Sequence, residues 1–331
     1  MINWDEVVGH QTVAARLKSM LSAGKIPHAL LFAGPAGIGK SLAARVVSAG
    51  ILCSSDQDKP CGQCHSCRLF SRNAHPDFSL LVPEGATIKI DQIRLLKSFA
   101  ALTPAVSSGR VCLIDNAELM TVQAANSLLK LLEEPPPGFV FILVAGTGKP
   151  LLPTILSRCW KVQFHLLPAQ VLEDALIQKG YAPEAAAVAA RLSGGRMGKA
   201  LNLLAPDGLA LRNMAAQMLT VLQKDDMTAI WAETTRLAGL EAKDIIIVLE
   251  FFLYLLRDLL LIAGRYSEQL IYNIDLTRQL AGLVPFWPEK RSMAAMAAVK
   301  NTIRALEANA NARLALEELL ILLKDCPEEG E

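Results

Sequence analysis

A glycine-rich loop near the amino terminus constrains the fold of this chain more than any other feature. Residues 34–41 read Gly-Pro-Ala-Gly-Ile-Gly-Lys-Ser, which fits the phosphate-binding pattern G-x-x-x-x-G-K-[ST] at every fixed position. The apolar run 28–33 precedes the loop and is typical of a buried strand, and a helical pattern follows it. Gly34, Gly37 and Gly39 suit such a loop because its backbone N–H groups must turn inward around phosphate oxygens. We therefore predict a nucleotide-binding loop between a strand and a helix.

Three polar side chains complete the predicted nucleotide site. In loops of this kind the lysine, here Lys40, reaches the outer phosphates, and the hydroxyl of the next residue, Ser41, ligates Mg²⁺. Asp115 follows the apolar run 111–114 and supplies the acid that holds the Mg²⁺ shell. Asn116 stands where hydrolytic ATPases of this type carry a glutamate, and an amide cannot accept a proton. The pattern predicts binding of ATP with Mg²⁺ and poor hydrolysis.

Short apolar runs indicate a parallel sheet in the first half of the chain. They lack the alternation of a half-exposed strand, and helical stretches separate them, at residues 28–33, 78–82, 111–114, 139–144 and 160–164. This order predicts an α/β domain with helices on both faces of the sheet, covering residues 1–165. Three short helices are predicted within residues 166–207 as a lid. Residues 208–331 are predicted to form an all-α domain.

Charge and hydropathy exclude two classes of protein. Lys and Arg number 33 against 32 Asp and Glu, which argues against a chain that holds DNA by its own positive charge. Residues 1–165 hold 16 basic and 11 acidic side chains, and residues 166–331 hold 17 and 21, so the two halves have different surfaces. The apolar run 245–263 contains three charges and is predicted to be a buried helix, with no membrane span. The acidic first residues lack a secretory signal, so we expect a cytoplasmic protein.

Four of the seven cysteines lie within fifteen residues, at Cys53, Cys61, Cys64 and Cys67. Four thiolates around one Zn²⁺ form a closed, structural site. The string Cys-Gly-Gln-Cys-His at 61–65 also fits c-type haem attachment, but haem attachment implies export and would leave two cysteines unexplained. An iron–sulfur cluster stays open as a second metal assignment, although the spacing lacks the longer gap and the proline of ferredoxins.

Several further segments carry a resemblance to a known family. They are Trp-Asp-Glu-Val-Val-Gly-His at 4–10, the helix and double proline at 124–136, Leu-Ser-Arg-Cys at 156–159, and residues 309–317. Together with the phosphate loop and the cysteine insert, they resemble the clamp-loader AAA+ ATPases of bacterial DNA polymerase III. The resemblance extends over nearly the whole chain, and the Ser-Arg-Cys motif is its most diagnostic part.

The resemblance implies residue roles and partners that the pattern alone does not give. Val7 and Val8 would lie on the adenine side of the nucleotide. Arg158 of the Ser-Arg-Cys motif would act in trans, as an arginine finger on ATP held by a neighbouring subunit. The carboxy-terminal helices would form a collar in a hetero-pentameric ring with gamma/tau and delta subunits. Sliding clamp and primed DNA would be reached through that complex, with no membrane involved.

Departures from the family pattern favour a non-motor subunit. Asn116 replaces the family's glutamate, the second sensor arginine aligns with Gly198, and the first sensor falls near Gly146 and Thr147. Such a chain would supply an arginine finger to a neighbour but would have a weakened ATPase site of its own. It would have no polymerase site. Two alternatives are a gamma/tau-like ATPase motor and a zinc-finger DNA-binding protein.

Overall fold

The computed structural model describes residues 2–56, 58–148, 150–224 and 226–325. Within them, contacts divide the chain into two compact units. The first unit comprises the residues up to Ala175 together with Gly194–Lys199, and the second comprises Leu176–Ser193 and the residues from Ala200 onward. The proposed division at residues 165 and 207 into a lid and a collar stays a prediction.

A five-stranded parallel sheet organises the first unit. Its strands, in chain order, are β1 Ala29–Ala33, β2 Phe78–Leu81, β3 Arg110–Ile114, β4 Phe139–Ala145 and β5 Trp160–Gln163. The order across the sheet is β2-β3-β4-β1-β5, and every neighbouring pair is parallel. This confirms the predicted α/β fold and all five of its strands. The order places β4 between the strand that leads into the phosphate loop and the strand that ends before Asp115.

Helices cover both faces of the sheet, which explains why its strands are continuously apolar. Successive residues of β1 alternate between two cores, with Leu30 and Phe32 in one and Ala29 and Leu31 in the other. The helices up to residue 178 are α1 Gln11–Ser22, α2 Lys40–Leu52, α3 His65–Ser71, α4 Ile90–Ala100, α5 Val122–Glu133, α6 Pro153–Leu156 and α7 Ala169–Gln178. The core of Leu30 contains residues of α1 and α2, and the core of Leu31 contains residues of α4 and α5.

From residue 183 onward the described residues form helices joined by loops and two 3-10 turns, as the sequence predicts. Their helices are α8 Pro183–Leu192, α9 Met197–Leu203, α10 Ala210–Gln223, α11 Met227–Ala238, α12 Ala242–Ala263, α13 Thr277–Leu283, α14 Glu289–Glu307 and α15 Ala312–Asp325. Gly194 and Gly195 both have positive φ and separate α8 from α9. The expected lid helices therefore exist as elements.

The longest helix, α12, is a buried helix of the second unit. Phe252, Leu255 and Leu256 are fully buried along it, and so is the carboxylate of Asp258. Asp258 accepts hydrogen bonds from the backbone and side-chain N–H groups of Asn273, each at 2.8 Å. Its charge is therefore satisfied within the protein, as a buried carboxylate requires. No helix among the described residues has the length and apolar character to cross a bilayer.

Candidate nucleotide and metal sites

The phosphate loop connects β1 to α2 at the carboxyl edge of the sheet. Gly34, Gly37 and Gly39 have φ angles of 154°, 76° and 98°, a region that side chains other than hydrogen disfavour. A Cβ on Gly34 would lie 2.5 Å from the carbonyl oxygen of Phe164, so this position is also closed by packing. The loop then enters α2 with Gly39 as the residue before its first turn. The backbone thus has the course that the glycine spacing predicts.

The side chain of Lys40, the first residue of α2, folds back into the phosphate loop. Its ammonium nitrogen donates to the carbonyl oxygens of Gly34 at 2.8 Å and Pro35 at 2.6 Å, and only 6% of the residue is exposed. Burial lowers the pKa of Lys40, and the nearby carboxylates of Glu118 and Asp115 oppose that shift. The side chain is thus a localised positive charge at the edge where phosphates would bind.

Ser41 and Asp115 meet as the sequence predicts. The hydroxyl of Ser41 donates to Oδ1 of Asp115 at 2.9 Å, although 74 positions separate the two residues. Hydroxyl and carboxylate oxygens are ligands that Mg²⁺ accepts beside nucleotide phosphates. Asn116 follows in the left-handed region with φ of 53°, and its side chain is exposed. No carboxylate therefore stands at the position directly after Asp115.

Glu118 is a site residue that sequence reasoning missed. It lies on the 3-10 turn Ala117–Leu119, and its Oε1 accepts a hydrogen bond from the backbone N–H of Gly146 at 2.9 Å. Its second oxygen, Oε2, is buried and has no hydrogen-bond partner within the described part of the chain. Glu118 lies three residues after Asp115 in the sequence, and the tight turn brings its carboxylate back to the site.

The segment aligned with the second sensor packs on the phosphate loop. The N–H of Gly198 donates to the carbonyl oxygen of Gly37 at 2.8 Å. A Cβ on Gly198 would lie 3.3 Å from that same oxygen, so a glycine allows α9 to approach this closely. The guanidinium of Arg196 turns toward Gly194, where a Cβ would lie 3.2 Å from Nη1. Position 198 itself therefore brings no charged group to the loop.

The two valines expected beside adenine are half-buried. Val7 packs against the core that contains Phe32, and the N–H of Val8 donates to the carbonyl oxygen of Glu6 at 3.1 Å. A cavity of about 200 Å³ lies next to this segment, lined by residues 9–13, Gln163 and residues 165–168. Neither valine lines it. The adenine-side role of Val7 and Val8 stays a prediction.

Arg158 is held on the surface of the first unit. Its Nη2 lies 2.6 Å from Oε1 of Glu133, and its Nη1 donates to the carbonyl oxygen of Thr154 at 2.9 Å. About a third of the Arg158 side chain, 34%, is exposed. Among the described residues, none of its hydrogen bonds goes to the phosphate loop.

The four clustered cysteines converge on one point. Their sulfur atoms all lie within 4.8 Å of one another, and the Sγ atoms of Cys53 and Cys64 are 3.9 Å apart. Cys53 directly follows α2, Cys64 precedes α3, and Cys67 lies in the first turn of α3. Backbone N–H groups at Cys61, Cys64 and Cys67 point at cysteine sulfurs at 3.4 Å. His65 is exposed and lies outside the cluster.

The donor set and its electrostatics fit a divalent metal. Sulfurs that ligate one tetrahedral Zn²⁺ at about 2.3 Å lie about 3.8 Å apart, close to the observed separation of Cys53 and Cys64. Burial raises the pKa of the Cys53 and Cys67 thiols. Burial also raises that of Cys64, but hydrogen bonds from Ser54 and Cys67 outweigh it and lower this pKa to about 6. A cation among the four sulfurs would favour the thiolate form of each of them.

Comparisons with known proteins agree with this geometry. A family profile described as DNA polymerase III, delta subunit, matches residues 9–168. The delta-prime subunit of DNA polymerase III from Bacillus subtilis is 29% identical over 98% of this chain and 99% of its own length. That of Pseudomonas aeruginosa is 44% identical over 40% of this chain and 41% of its own. The chain is similar to a DNA polymerase III delta-prime subunit along nearly its whole length.

Subunits of DNA polymerase III that are named gamma/tau and tau are also relatives of this chain. The DNA polymerase III subunit tau of Escherichia coli is 33% identical over 68% of this chain. The match covers 37% of the tau subunit's length, so it leaves most of that protein without a counterpart. Delta-prime and tau subunits are therefore both similar to this chain, the former over nearly all of it and the latter over 68% of it.

Proposed function

We propose that this chain is the delta-prime subunit of a clamp loader, a stator-like member of a cytoplasmic hetero-pentameric ring. In that ring it stands beside gamma/tau and delta subunits and helps to load the sliding clamp on primed DNA during replication. The relative from Bacillus subtilis supports this role because it is matched from end to end. Residues 208–331, whose described part is helical from α10 to α15, act as the collar through which the ring assembles.

Arg158 carries the proposal, because it is the arginine finger that this subunit supplies to a neighbour. A guanidinium is always charged and forks onto two phosphate oxygens, which suits a developing charge on a γ-phosphate. The exposure of Arg158 and its lack of bonds to the chain's own phosphate loop support action in trans. Its ion pair with Glu133 orients the side chain at the surface until a phosphate of the neighbouring subunit replaces the carboxylate.

The chain's own loop binds ATP with Mg²⁺ and turns it over poorly. Gly34, Gly37 and Gly39 cradle the phosphates, Lys40 neutralises the outer ones, and Ser41 with Asp115 holds the metal ion. Asn116 is exposed and cannot take a proton from water. These residues support binding and orientation of a nucleotide but give no general base next to Asp115.

The cysteine cluster holds Zn²⁺ as a structural element. Four sulfurs close the coordination shell, so no position stays open for a substrate. The convergence of Cys53, Cys61, Cys64 and Cys67 supports this assignment. Metal analysis of the purified chain decides between zinc and iron.

Steady-state ATP hydrolysis by the isolated chain separates this function from the gamma/tau-like motor. A stator should hydrolyse ATP at a rate close to that of a blank reaction. Lys40→Ala should therefore have little effect on the measured rate. In a ring reconstituted with gamma/tau and delta, the same chain should restore clamp- and DNA-stimulated hydrolysis. Robust turnover by the isolated chain that Lys40→Ala abolishes would instead identify a motor.

A further inference from the structure

Glu118 lies at the centre of the phosphate edge without belonging to the loop or to the Ser41–Asp115 pair. Its partner Gly146 directly follows β4. β4 pairs with β1 on one side and with β3 on the other, and these two strands end at the phosphate loop and at Asp115. The Glu118–Gly146 contact therefore stands between the loop and the acid expected to hold Mg²⁺.

One oxygen of the Glu118 carboxylate has no hydrogen bond to the described part of the chain. Oε1 is used by the N–H of Gly146, whereas Oε2 is buried without a partner among the described residues. A buried polar atom without a hydrogen bond is unfavourable, and such exceptions concentrate where a protein binds something. The position of Glu118 thus has no full structural explanation in the contacts of the fold.

Gly146 makes room for the carboxylate. A Cβ at this position would lie 2.7 Å from Oε1 of Glu118, well inside van der Waals contact. Any side chain at position 146 would therefore displace Glu118 from the edge. Gly146 lies near the position of the family's first sensor, and the space that a side chain would fill there is occupied by the carboxylate of Glu118.

The charge of Glu118 reaches the lysine of the phosphate loop. Among the charged groups that act on Lys40, Glu118 contributes more than Asp115. Because a lysine at this loop position contacts the outer phosphates of a bound nucleotide, a carboxylate close to it also lies close to those phosphates. Two negative groups at short range in a partly buried site repel each other strongly.

We propose that Glu118 is a specificity-determining residue that makes this site prefer a nucleoside diphosphate to a triphosphate. The inference rests on the proposed binding of nucleotide by the phosphate loop. A diphosphate ends at its β-phosphate, which Lys40 and the loop N–H groups neutralise. A triphosphate adds a γ-phosphate beside a carboxylate whose second oxygen has no donor of its own. The site then retains the diphosphate, which is the product of hydrolysis, and the subunit stays without a bound triphosphate.

The test is calorimetric titration of the full chain with Mg²⁺–ADP and with a non-hydrolysable Mg²⁺–ATP analogue. Wild type should bind ADP at least about tenfold more tightly than the analogue, the size expected for one like-charge contact in a partly buried site. Glu118→Gln keeps an oxygen for the Gly146 N–H and removes the charge. It should tighten binding of the analogue about tenfold and leave ADP binding within about twofold.

Control variants separate the possible outcomes. Glu118→Ala should relax the same preference, which guards against an effect peculiar to glutamine, and Glu84→Gln neutralises an exposed acid outside the site and should change nothing. Binding of both nucleotides that Lys40→Ala abolishes but Glu118→Gln does not alter overturns this inference and leaves the nucleotide site standing. If neither wild type nor Glu118→Gln binds any nucleotide, both proposals fall. A Glu118-dependent ATPase activity would make the residue a base and also overturn the inference.

Discussion

Arg158 and Glu133 form an ion pair on the surface of the first unit, with Nη2 of the arginine 2.6 Å from Oε1 of the glutamate. The glutamate is the last residue of α5, and the arginine follows α6 by two positions. Both side chains are partly exposed, at 34% and 46%, so the pair contributes no more than about 1 kcal/mol to stability. The proposed finger role requires a pair this weak, because a phosphate group of a neighbouring subunit would have to replace Glu133.

Replacing Arg158 should therefore separate folding from function. We expect Arg158→Ala to change the free energy of unfolding by less than about 1 kcal/mol. At the ATP site that the finger serves, hydrolysis in a reconstituted loader should fall at least about tenfold. Unfolding by denaturant and steady-state hydrolysis measure the two effects. Arg94→Ala removes another exposed, ion-paired arginine and should leave hydrolysis unchanged; an unchanged rate in Arg158→Ala would refute the finger.

Local patterns predicted the elements and their order correctly, because strand, loop and helix in the first unit are encoded by neighbouring residues. The contact of Ser41 with Asp115 was also predictable, since the carboxyl ends of all strands in a parallel sheet lie at the same edge. The sulfur cluster follows from short spacing between cysteines. The first contact follows from the common edge of a parallel sheet, and the second follows from the short chain between the cysteines.

Contacts set by packing between distant segments could not be predicted. The pairing of Arg158 with Glu133 depends on how α5 and α6 meet. The role of Glu118 depends on a 3-10 turn and on the missing side chain at Gly146, neither of which gives a periodic signal. The resemblance draws attention to position 116, where this chain has Asn116 and the family has a glutamate, whereas the carboxylate near the phosphate loop is that of Glu118.

Acid should destabilise the chain through a buried histidine. His75 accepts a hydrogen bond at Nδ1 from the N–H of Asp77 at 3.1 Å, and its Nε2 lies 2.8 Å from Oγ of Ser66. Burial lowers the pKa of His75; the carboxylate of Asp77 opposes the shift and His65 adds to it. The unfolded chain thus binds this proton first, near pH 6.5. The stability contributed above that pH is lost as pH falls toward the folded pKa.

The measurement is the free energy of unfolding between pH 5 and pH 8, a range chosen around the unperturbed histidine value of about 6.5. We expect His75→Gln to lower stability at pH 8 and to flatten the decline below pH 6.5. His28→Gln replaces an exposed histidine and should keep the slope of wild type. Parallel curves for wild type and His75→Gln would contradict the assignment.

Metal should be bound by the clustered cysteines and by no other cysteine that the structure describes. Cys64→Ser removes one ligand, so we expect the bound zinc of the purified chain to fall well below one equivalent and the melting temperature to drop. Closing a structural zinc site contributes folding free energy directly. Cys159→Ser, outside the cluster and half-buried, should retain the metal. Equal metal content in the two variants would exclude this site.

Ring assembly should depend on an apolar stripe along α15. Ile321 and Leu322 lie about two turns after Leu314 on this helix. The three side chains are 40%, 48% and 64% exposed in that order. Exposed apolar side chains at helical spacing suit packing against a neighbouring helix. We expect the double substitution Leu314→Glu and Ile321→Glu to leave the chain folded, because neither side chain is part of the core. It should weaken association with gamma/tau and delta subunits more than tenfold, since burying two charges is strongly unfavourable.

Size-exclusion chromatography of the mixed subunits, with circular dichroism of the free variant, checks this expectation. Arg313→Ala is the matched control, because it changes an exposed residue of the same helix whose ion pair with Glu317 is solvent-screened. Assembly of the control and failure of the double variant would assign the collar contact to this stripe. Normal assembly of the double variant would place the contact on another face of residues 208–331.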